Sequence, residues 1–348
     1  MVRIRRVDCS EPGIERLRRG RGFSYVGLDG RPLRDPEALA RIRALAIPPA
    51  WRDVWICPLP AGHLQAVGTD AAGRRQYLYH DAWRARQDQA KFDHMLEFAR
   101  ALPTLRERAA AHLAEEGMTR DRVLACATRL LDRGFFRIGT EGYAEQNQTY
   151  GLATIERRHV RLAGGLIAFD YPTKGGQRRL QSVLDTEARE VVAALLRRRG
   201  GGRELLAYRR GRVWVDVRSE DVNAYIKEQT GGDFTAKDYR TWSATVLAAV
   251  ALATSFPVAR SRTARVRAVG RAVKEVAHYL GNTPAVARAS YIDPRVFDRY
   301  RSGLTVAGAL EQLGQEGEPG EPAHQGAVEA TVLDLIEEKR APELDLTA

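Results

Sequence analysis

The chain has 348 residues, enough for two domains and a sizeable core. Its formal net charge is +11, but residues 316–348 hold nine acidic and two basic side chains, so the other 315 carry 53 basic against 35 acidic residues, +18. A body with that excess favours a polyanion. Three cysteines (Cys9, Cys57, Cys126) without CxxC spacing argue against a disulfide framework or a zinc site and for a reducing, cytoplasmic setting. No apolar run is expected to approach the roughly 18–20 residues a membrane helix needs. The basic start, Met1-Val2-Arg3-Ile4-Arg5-Arg6, lacks the apolar stretch that would follow in a signal peptide.

Residues 1–90 mix short strand signals with turns. Segments 21–27, 54–57 and 63–69 read as strands, Asp70-Ala71-Ala72-Gly73 as a turn, and 74–80 as a further strand. Asp35-Pro36 opens a short helix to about Leu45, with proline at its first position. From about Ala82 the pattern becomes helical, with apolar spacings of three and four over 91–100, 105–116 and 120–133. Thr119 is placed to cap the third of these. A hairpin follows over 158–162 and 166–171, and Lys174 sits in the turn beyond its second strand. Helices resume at 185–198, 220–229, 236–254, 264–280 and 284–291, the last opened by Thr283-Pro284. The expected fold class is α+β: a small N-terminal antiparallel β-rich domain (1–90) and a larger, mainly α-helical domain with a β-hairpin (91–314). Residues 315–348 read as an acidic, flexible tail with a short amphipathic segment at 331–340.

Two arginines, a lysine, a hydrogen-bond donor and a late tyrosine (Arg137, Lys174, Arg240, Asn282, Tyr291) form a kit for breaking a phosphodiester. The transition state gathers charge on its equatorial oxygens, which fixed positive charge stabilises. Arginine suits the task because its planar fork gives a phosphate two hydrogen bonds. Nucleases that use metals need clustered carboxylates instead. The chain has no DxD pair and no HExxH, and its histidines are scattered, so neither a metal site nor a cofactor is expected. Taken singly, each candidate has an ordinary reading. Arg137 fits a solvated arginine, Lys174 a turn lysine, Tyr291 a half-buried helix tyrosine, and Asn282 after Gly281 a helix C-terminal signal. Their order and surroundings set them apart.

Those surroundings resemble the poxvirus-type bacterial DNA topoisomerases IB over about residues 20 to 310. The matching stretches begin with Ile47-Pro48-Pro49-Ala50-Trp51-Arg52-Asp53-Val54-Trp55-Ile56, Gly62-His63-Leu64-Gln65-Ala66 and Gly73-Arg74-Arg75-Gln76-Tyr77. Leu130-Leu131-Asp132, Phe136-Arg137-Ile138-Gly139, Tyr150-Gly151-Leu152 and Arg158-His159-Val160 follow. Thr235-Ala236-Lys237-Asp238-Tyr239-Arg240-Thr241-Trp242 and Tyr291-Ile292-Asp293-Pro294 complete the series. The resemblance implies that Arg137 and Arg240 are the two catalytic arginines and that Lys174 is the general acid on the leaving 5′ oxygen. It implies that Asn282 donates to a non-bridging phosphate oxygen and that Tyr291 is the nucleophile of a 3′-phosphotyrosyl intermediate. It further implies relaxation of supercoiled duplex DNA without ATP, by a clamp around the duplex. The chain departs from the family pattern at Thr173, where glycine is usual, and at Asn282, where histidine is commoner. His278, one helical turn before Asn282, is a substitute donor, although a structural helix role fits it better.

DNA contacts are expected from Gln76, Tyr77 and Tyr79, with Tyr77 and Tyr79 on one face of their strand. Packing of these tyrosines in a small β core is an equal alternative. Tyr143 and Lys237 are expected to touch phosphates. The expected partner is double-stranded DNA, with no membrane and no obligatory protein partner, for a monomer of the cytoplasm and nucleoid. Two rivals remain. A tyrosine recombinase usually has histidine three residues before the second arginine, where this chain has Lys237. A non-catalytic nucleoid-binding protein would need the charge but not the five-residue constellation.

Overall fold

A computed structural model describes residues 3–316 and 325–337; the side chains of Tyr143 and of 312–316 lie outside that description. The chain divides into two compact units, Met1–Asp93 and His94–Ala348.

The first unit is built on a five-stranded antiparallel sheet. It holds β1 (Ile14–Arg19), β2 (Gly22–Val26), helix α1 (Pro36–Ala44), β3 (Arg52–Ile56), β4 (Leu64–Thr69) and β5 (Arg75–Tyr79), with strand order β2-β1-β3-β4-β5. Asp35 caps α1 by accepting from the Glu37 N–H at 3.1 Å, and Ile42 on that helix packs with Ile14, Val54, Ile56 and Ala66 of the sheet. β1 was not expected. It reads Ile-Glu-Arg-Leu-Arg-Arg, and only Ile14 is buried, so pairing with two neighbours rather than apolar alternation makes it a strand. Its Arg16 donates to the carbonyls of Ile47, Pro48 and Trp51, which ties the Ile47–Trp51 motif to the sheet.

The boundary between the units falls within α2 (Asp81–Leu113), one helix where two were expected. Pro103 removes a single N–H, while the fully buried Leu102 and Leu105 anchor the helix on either side of it. The second unit continues with α3 (Arg120–Gly134) and α4 (Glu141–Asn147), then a three-stranded meander, β6 (Val160–Ala163), β7 (Leu166–Thr173) and β8 (Gln177–Leu184). The expected hairpin thus gains a third strand, whose polar, arginine-rich sequence hid it. Next come α5 (Thr186–Arg197), an unexpected hairpin of β9 (Ala207–Arg210) and β10 (Val213–Asp216), and α6 (Ser219–Thr230). The remainder is α7 (Ala236–Ser255), α8 (Arg262–Leu280), α9 (Pro284–Ser290), α10 (Pro294–Arg301), α11 (Ala307–Glu316) and α12 (Ala327–Glu337). This is the α+β architecture expected, with the helices in the larger part.

Two expectations are corrected. Ala236–Val258 is long and apolar enough to cross a membrane by length and composition. Its composition reflects burial, since Tyr239, Trp242, Ala244, Val246 and Leu252 of α7 are all at most 2% exposed. The acidic tail, expected to be flexible, contributes an ordered helix among the described residues. Of the linker expected at 315–322, Gln315 and Glu316 end α11 and the rest lies outside the described residues; of the helix expected at 331–340, the described part forms within α12 and docks. Its Val328, Val332, Leu335 and Ile336 are buried, and Arg299 donates to the Leu335 carbonyl at 3.1 Å. Glu329 accepts from Arg106 Nη1 at 2.6 Å and from Trp242 Nε1 at 2.8 Å, and Arg106 also forms a two-toothed bridge with Asp132. The two carboxylates hold the half-buried Arg106 charged against the desolvation that opposes it.

Candidate active site

Thr119 caps α3, accepting from the Arg122 N–H at 3.1 Å, and the helix ends at Phe135 in a left-handed conformation, φ 53°. That reversal sends two neighbouring aromatics in different directions. Phe136 is fully buried edge-on to Phe169 of β7 and near-parallel to Tyr171. The Phe135 carbonyl accepts from Arg240 Nη1 at 2.6 Å. Arg137 follows at once, on a backbone clamped by Leu152 N–H to Arg137 O and Ala153 N–H to Ile138 O, both 2.8 Å. The motifs around Arg137 and Gly151 therefore pair with each other. Gly139, at φ 76°, passes so close that an added Cβ would sit 2.8 Å from the Gly151 backbone.

Arg240 lies in the second turn of α7, 5% exposed. At the start of that helix Asp238 accepts from the Thr235 N–H at 2.8 Å, fixing where the turn begins. Thr283 caps α9 through the Val286 N–H at 3.3 Å, and Tyr291 closes the helix. The backbone around Tyr291 is held from behind: the Asp293 N–H donates to Thr245 Oγ1 at 3.1 Å, and that oxygen lies 3.3 Å from the Tyr291 carbonyl. Ile292 and Asp293 are fully buried, and Asp293 is bridged to Arg295 at 2.7 Å.

The C-terminal end of α8 gathers the site. Arg240 Nη2 donates to Leu280 O at 2.9 Å, and Arg137 Nη2 donates to Gly281 O at 2.8 Å. Arg137 also donates to Asn282 Oδ1. Unpaired helix carbonyls carry partial negative charge, which two guanidiniums meet here. With its oxygen so engaged, Asn282 keeps a buried Nδ2 with no acceptor among the described residues, as Arg240 keeps a buried Nε. Neither donor meets an acceptor among the described residues. Gly281 takes the left-handed conformation, φ 60°, that lets the chain leave α8 towards Asn282.

The Arg240 guanidinium carbon lies 5.3 Å from the centre of the Tyr291 ring. Burial raises the Tyr291 phenol, but the charge and hydrogen bond of Arg240, with help from Arg137 and Lys237, outweigh it and hold the pKa below the ordinary tyrosine value. Burial in turn pushes Arg240 down to about 10, against the pull of Tyr291. Lys174 is exposed at the tip of the β7–β8 hairpin, where it lines a cavity of about 210 Å³ together with Arg137, Thr140 and Tyr150. His278 is exposed on α8 and shares with Asn282 a second cavity, of about 600 Å³, between α8 and β8.

Arg137, Arg240, Asn282 and Tyr291 are thus brought together, with Lys174 beside Arg137. Of the expected DNA contacts, Lys237 is exposed in the first turn of α7, and Tyr143 lies on α4 with its side chain outside the described residues. Tyr77 and Tyr79 are 43% and 39% exposed, their rings 6.3 Å apart and near-parallel on edge strand β5, so they do not pack a core. Gln76 points to the other face of the strand and donates to Asp70 at 2.9 Å. Sequence reasoning missed Arg179 and Gln181 on β8, which line the larger cavity with Asn282. Only recognition of the hidden third strand would have placed them there.

The model of the eukaryotic DNA topoisomerase I catalytic core matches residues 80–311, and that of the bacterial DNA topoisomerase IB N-terminal domain matches residues 22–70. The DNA topoisomerase 1B of Acanthamoeba polyphaga mimivirus is 29% identical over 304 residues, covering 83% of this chain and 88% of the viral protein. Since the catalytic-core match alone spans well over half of the sequence, this chain belongs to the DNA topoisomerase IB family.

Proposed function

We propose that Arg137, Lys174, Arg240, Asn282 and Tyr291 carry out the reaction of this topoisomerase, the ATP-independent relaxation of supercoiled duplex DNA. Tyr291 loses its phenol proton to solvent, helped by its lowered pKa; its Oη attacks the scissile phosphorus, the bond to the 5′ oxygen breaks, and a 3′-phosphotyrosyl link forms. Lys174 gives a proton to the departing 5′ oxygen, which would otherwise leave as a strongly basic alkoxide. Arg137 and Arg240 stabilise the charge gathering on the non-bridging oxygens, and Asn282 Nδ2 donates to one of them. Resealing runs the steps backwards: the 5′ hydroxyl attacks the phosphotyrosine, its proton passes to Lys174, and Tyr291 is released. The covalent link conserves the bond energy, so no ATP is required.

The observation that carries these assignments is the meeting of Arg137, Arg240 and Asn282 at one helix end, with a buried donor on Asn282 and a phenol acidified by Arg240. We assign the DNA-contact role to the N-terminal unit through the exposed Tyr77 and Tyr79, with Gln76 beside them, and to Tyr143 and Lys237 near the reacting phosphate. All five reacting residues come from one chain, which supports a monomer acting on duplex DNA without a second protein; a DNA substrate supports a site of action in the cytoplasm at the nucleoid. The test is relaxation of negatively supercoiled plasmid in excess EDTA without ATP. Wild type should relax it and Tyr291→Phe should not. Relaxation by both would mean that the nucleophile lies elsewhere.

A further inference from the structure

A third arginine reaches the same helix end. Arg179 stands directly opposite Tyr171 in the β7–β8 register and hydrogen bonds with it. Its Nη2 donates to the Tyr279 carbonyl at 2.5 Å. Three consecutive carbonyls, Tyr279, Leu280 and Gly281, therefore each receive a guanidinium, from Arg179, Arg240 and Arg137 in turn. Arg179 presses close to the turn: a Cβ on Gly281 would lie 2.9 Å from its Nη1.

The surroundings of Arg179 repeat those of Arg137. Arg137 holds the oxygen of Asn282 and leaves its Nδ2 buried without an acceptor. Arg179 Nε holds the oxygen of Gln181 and leaves that amide's Nε2 buried without an acceptor among the described residues. Both amides line the same cavity of about 600 Å³, and no carboxylate among the described residues lines it. Of the other arginines there, Arg133 is bridged to Asp185 at 3.2 Å and Arg178 to Asp170 at 2.5 Å. Among the described residues, the partners of Arg179 are all neutral. Burial disfavours its charge, as does Arg137 nearby. A half-buried cation without a counter-ion among the described residues, beside a donor without an acceptor there, is costly unless an anion joins them.

We propose that the cavity between β8 and the end of α8 is a second phosphate subsite, in which Arg179 and Gln181 hold the backbone phosphate next to the scissile one. This rests on the assignment of the reacting centre to Arg137, Arg240, Asn282 and Tyr291. The subsite sets where the scissile phosphate lies relative to Asn282, because both amides open into one cavity. Tyr171 helps to fix Arg179. Burial pushes its phenol up to about 12, so it remains a neutral hydroxyl beside the three arginines.

The test is single-turnover covalent cleavage of short duplexes in which one phosphate flanking the scissile bond at a time is replaced by an uncharged methylphosphonate. Wild type, Gln181→Leu and Arg179→Lys are compared, with folding checked by thermal melting. In wild type, neutralising the phosphate held in the subsite should slow cleavage about tenfold or more, as for a lost charge-assisted hydrogen bond. In either variant the same replacement should cost at most about twofold, because the contact is already weakened. Equal losses in wild type and both variants at every position would overturn the subsite while leaving the reacting centre intact. The reacting centre fails separately, if wild type forms no adduct on the unmodified duplex or if Tyr291→Phe still forms one. Gln181→Leu keeps the volume and leaves Arg179 in place, so a folding defect in Arg179→Lys does not obscure the result.

Discussion

Arg240 and Tyr291 lie 51 positions apart in the chain, yet the guanidinium stands 5.3 Å from the centre of the phenol ring and holds its pKa below the ordinary value. A lowered phenol pKa means more phenolate at a given pH. The adduct-forming rate of wild type should therefore rise with pH and level off below the ordinary tyrosine pKa near 10. Arg240→Ala should slow cleavage by about 10²–10³ and move the rising limb to higher pH, because burial then acts on the phenol without that counter-charge. Rate against pH for single-turnover adduct formation measures both. An unmoved limb in the variant would separate Arg240 from the phenol.

Asn282 presents a buried donor with no acceptor among the described residues. Asn282→Ala should lower the single-turnover cleavage rate about tenfold or more, and Asn282→His should retain more activity than Ala. Asn282→Asp should be worse than Ala, since a carboxylate there repels the phosphate. An aspartate variant as active as wild type would rule out the donor role.

Lys174 at the hairpin tip is assigned the proton for the leaving oxygen. Lys174→Ala should slow cleavage of a normal phosphodiester by about 10²–10⁴. A substrate with sulfur in place of the bridging 5′ oxygen should recover most of that loss, because a thiolate departs without a proton. If sulfur leaves the variant as slow as before, the acid is another group.

Gly139 takes φ 76° against the backbone of Gly151, leaving no room for a Cβ. Gly139→Ala should destabilise the fold by about 2–3 kcal/mol, from backbone strain and the forced retreat of Gly151. Cleavage should fall as well, since these two segments hold the backbone of Arg137. Urea unfolding gives the first quantity and adduct formation below the transition gives the second; an unchanged midpoint would contradict the close approach.

Glu329 on α12 joins Arg106 to Trp242 of α7, the helix that carries Arg240. Glu329→Ala should cost about 2–4 kcal/mol, because Trp242 Nε1 loses its acceptor and Arg106 keeps one carboxylate of two. A chain ending at Gly314 should lose more, since the apolar surface covered by Val328, Val332, Leu335 and Ile336 opens to water. Equal urea midpoints for the full and shortened chains would show that α12 contributes nothing.

Residue chemistry and order alone determined much of this protein. The basic body, the capped helix starts at Asp35, Thr119 and Thr283, and the α+β class were all legible because they depend on local propensity and periodicity. The family resemblance rested on short motifs around Arg137, Arg240 and Tyr291, and the comparisons with known proteins bear it out. Only the tertiary structure decided the rest. Strands β1 and β8 carry too many arginines to show apolar alternation, and they become strands through the neighbours they pair with. Pro103 sits inside a continuous helix because buried leucines on both sides outweigh one lost hydrogen bond. The long apolar stretch of α7 suits a membrane as well as a core, and only its packing tells the two apart. The carbonyls of Tyr279, Leu280 and Gly281 carry no side-chain signal at all. Their capture of three distant guanidiniums, and the donors this leaves open on Asn282 and Gln181, arise only when four segments of chain meet at one helix end.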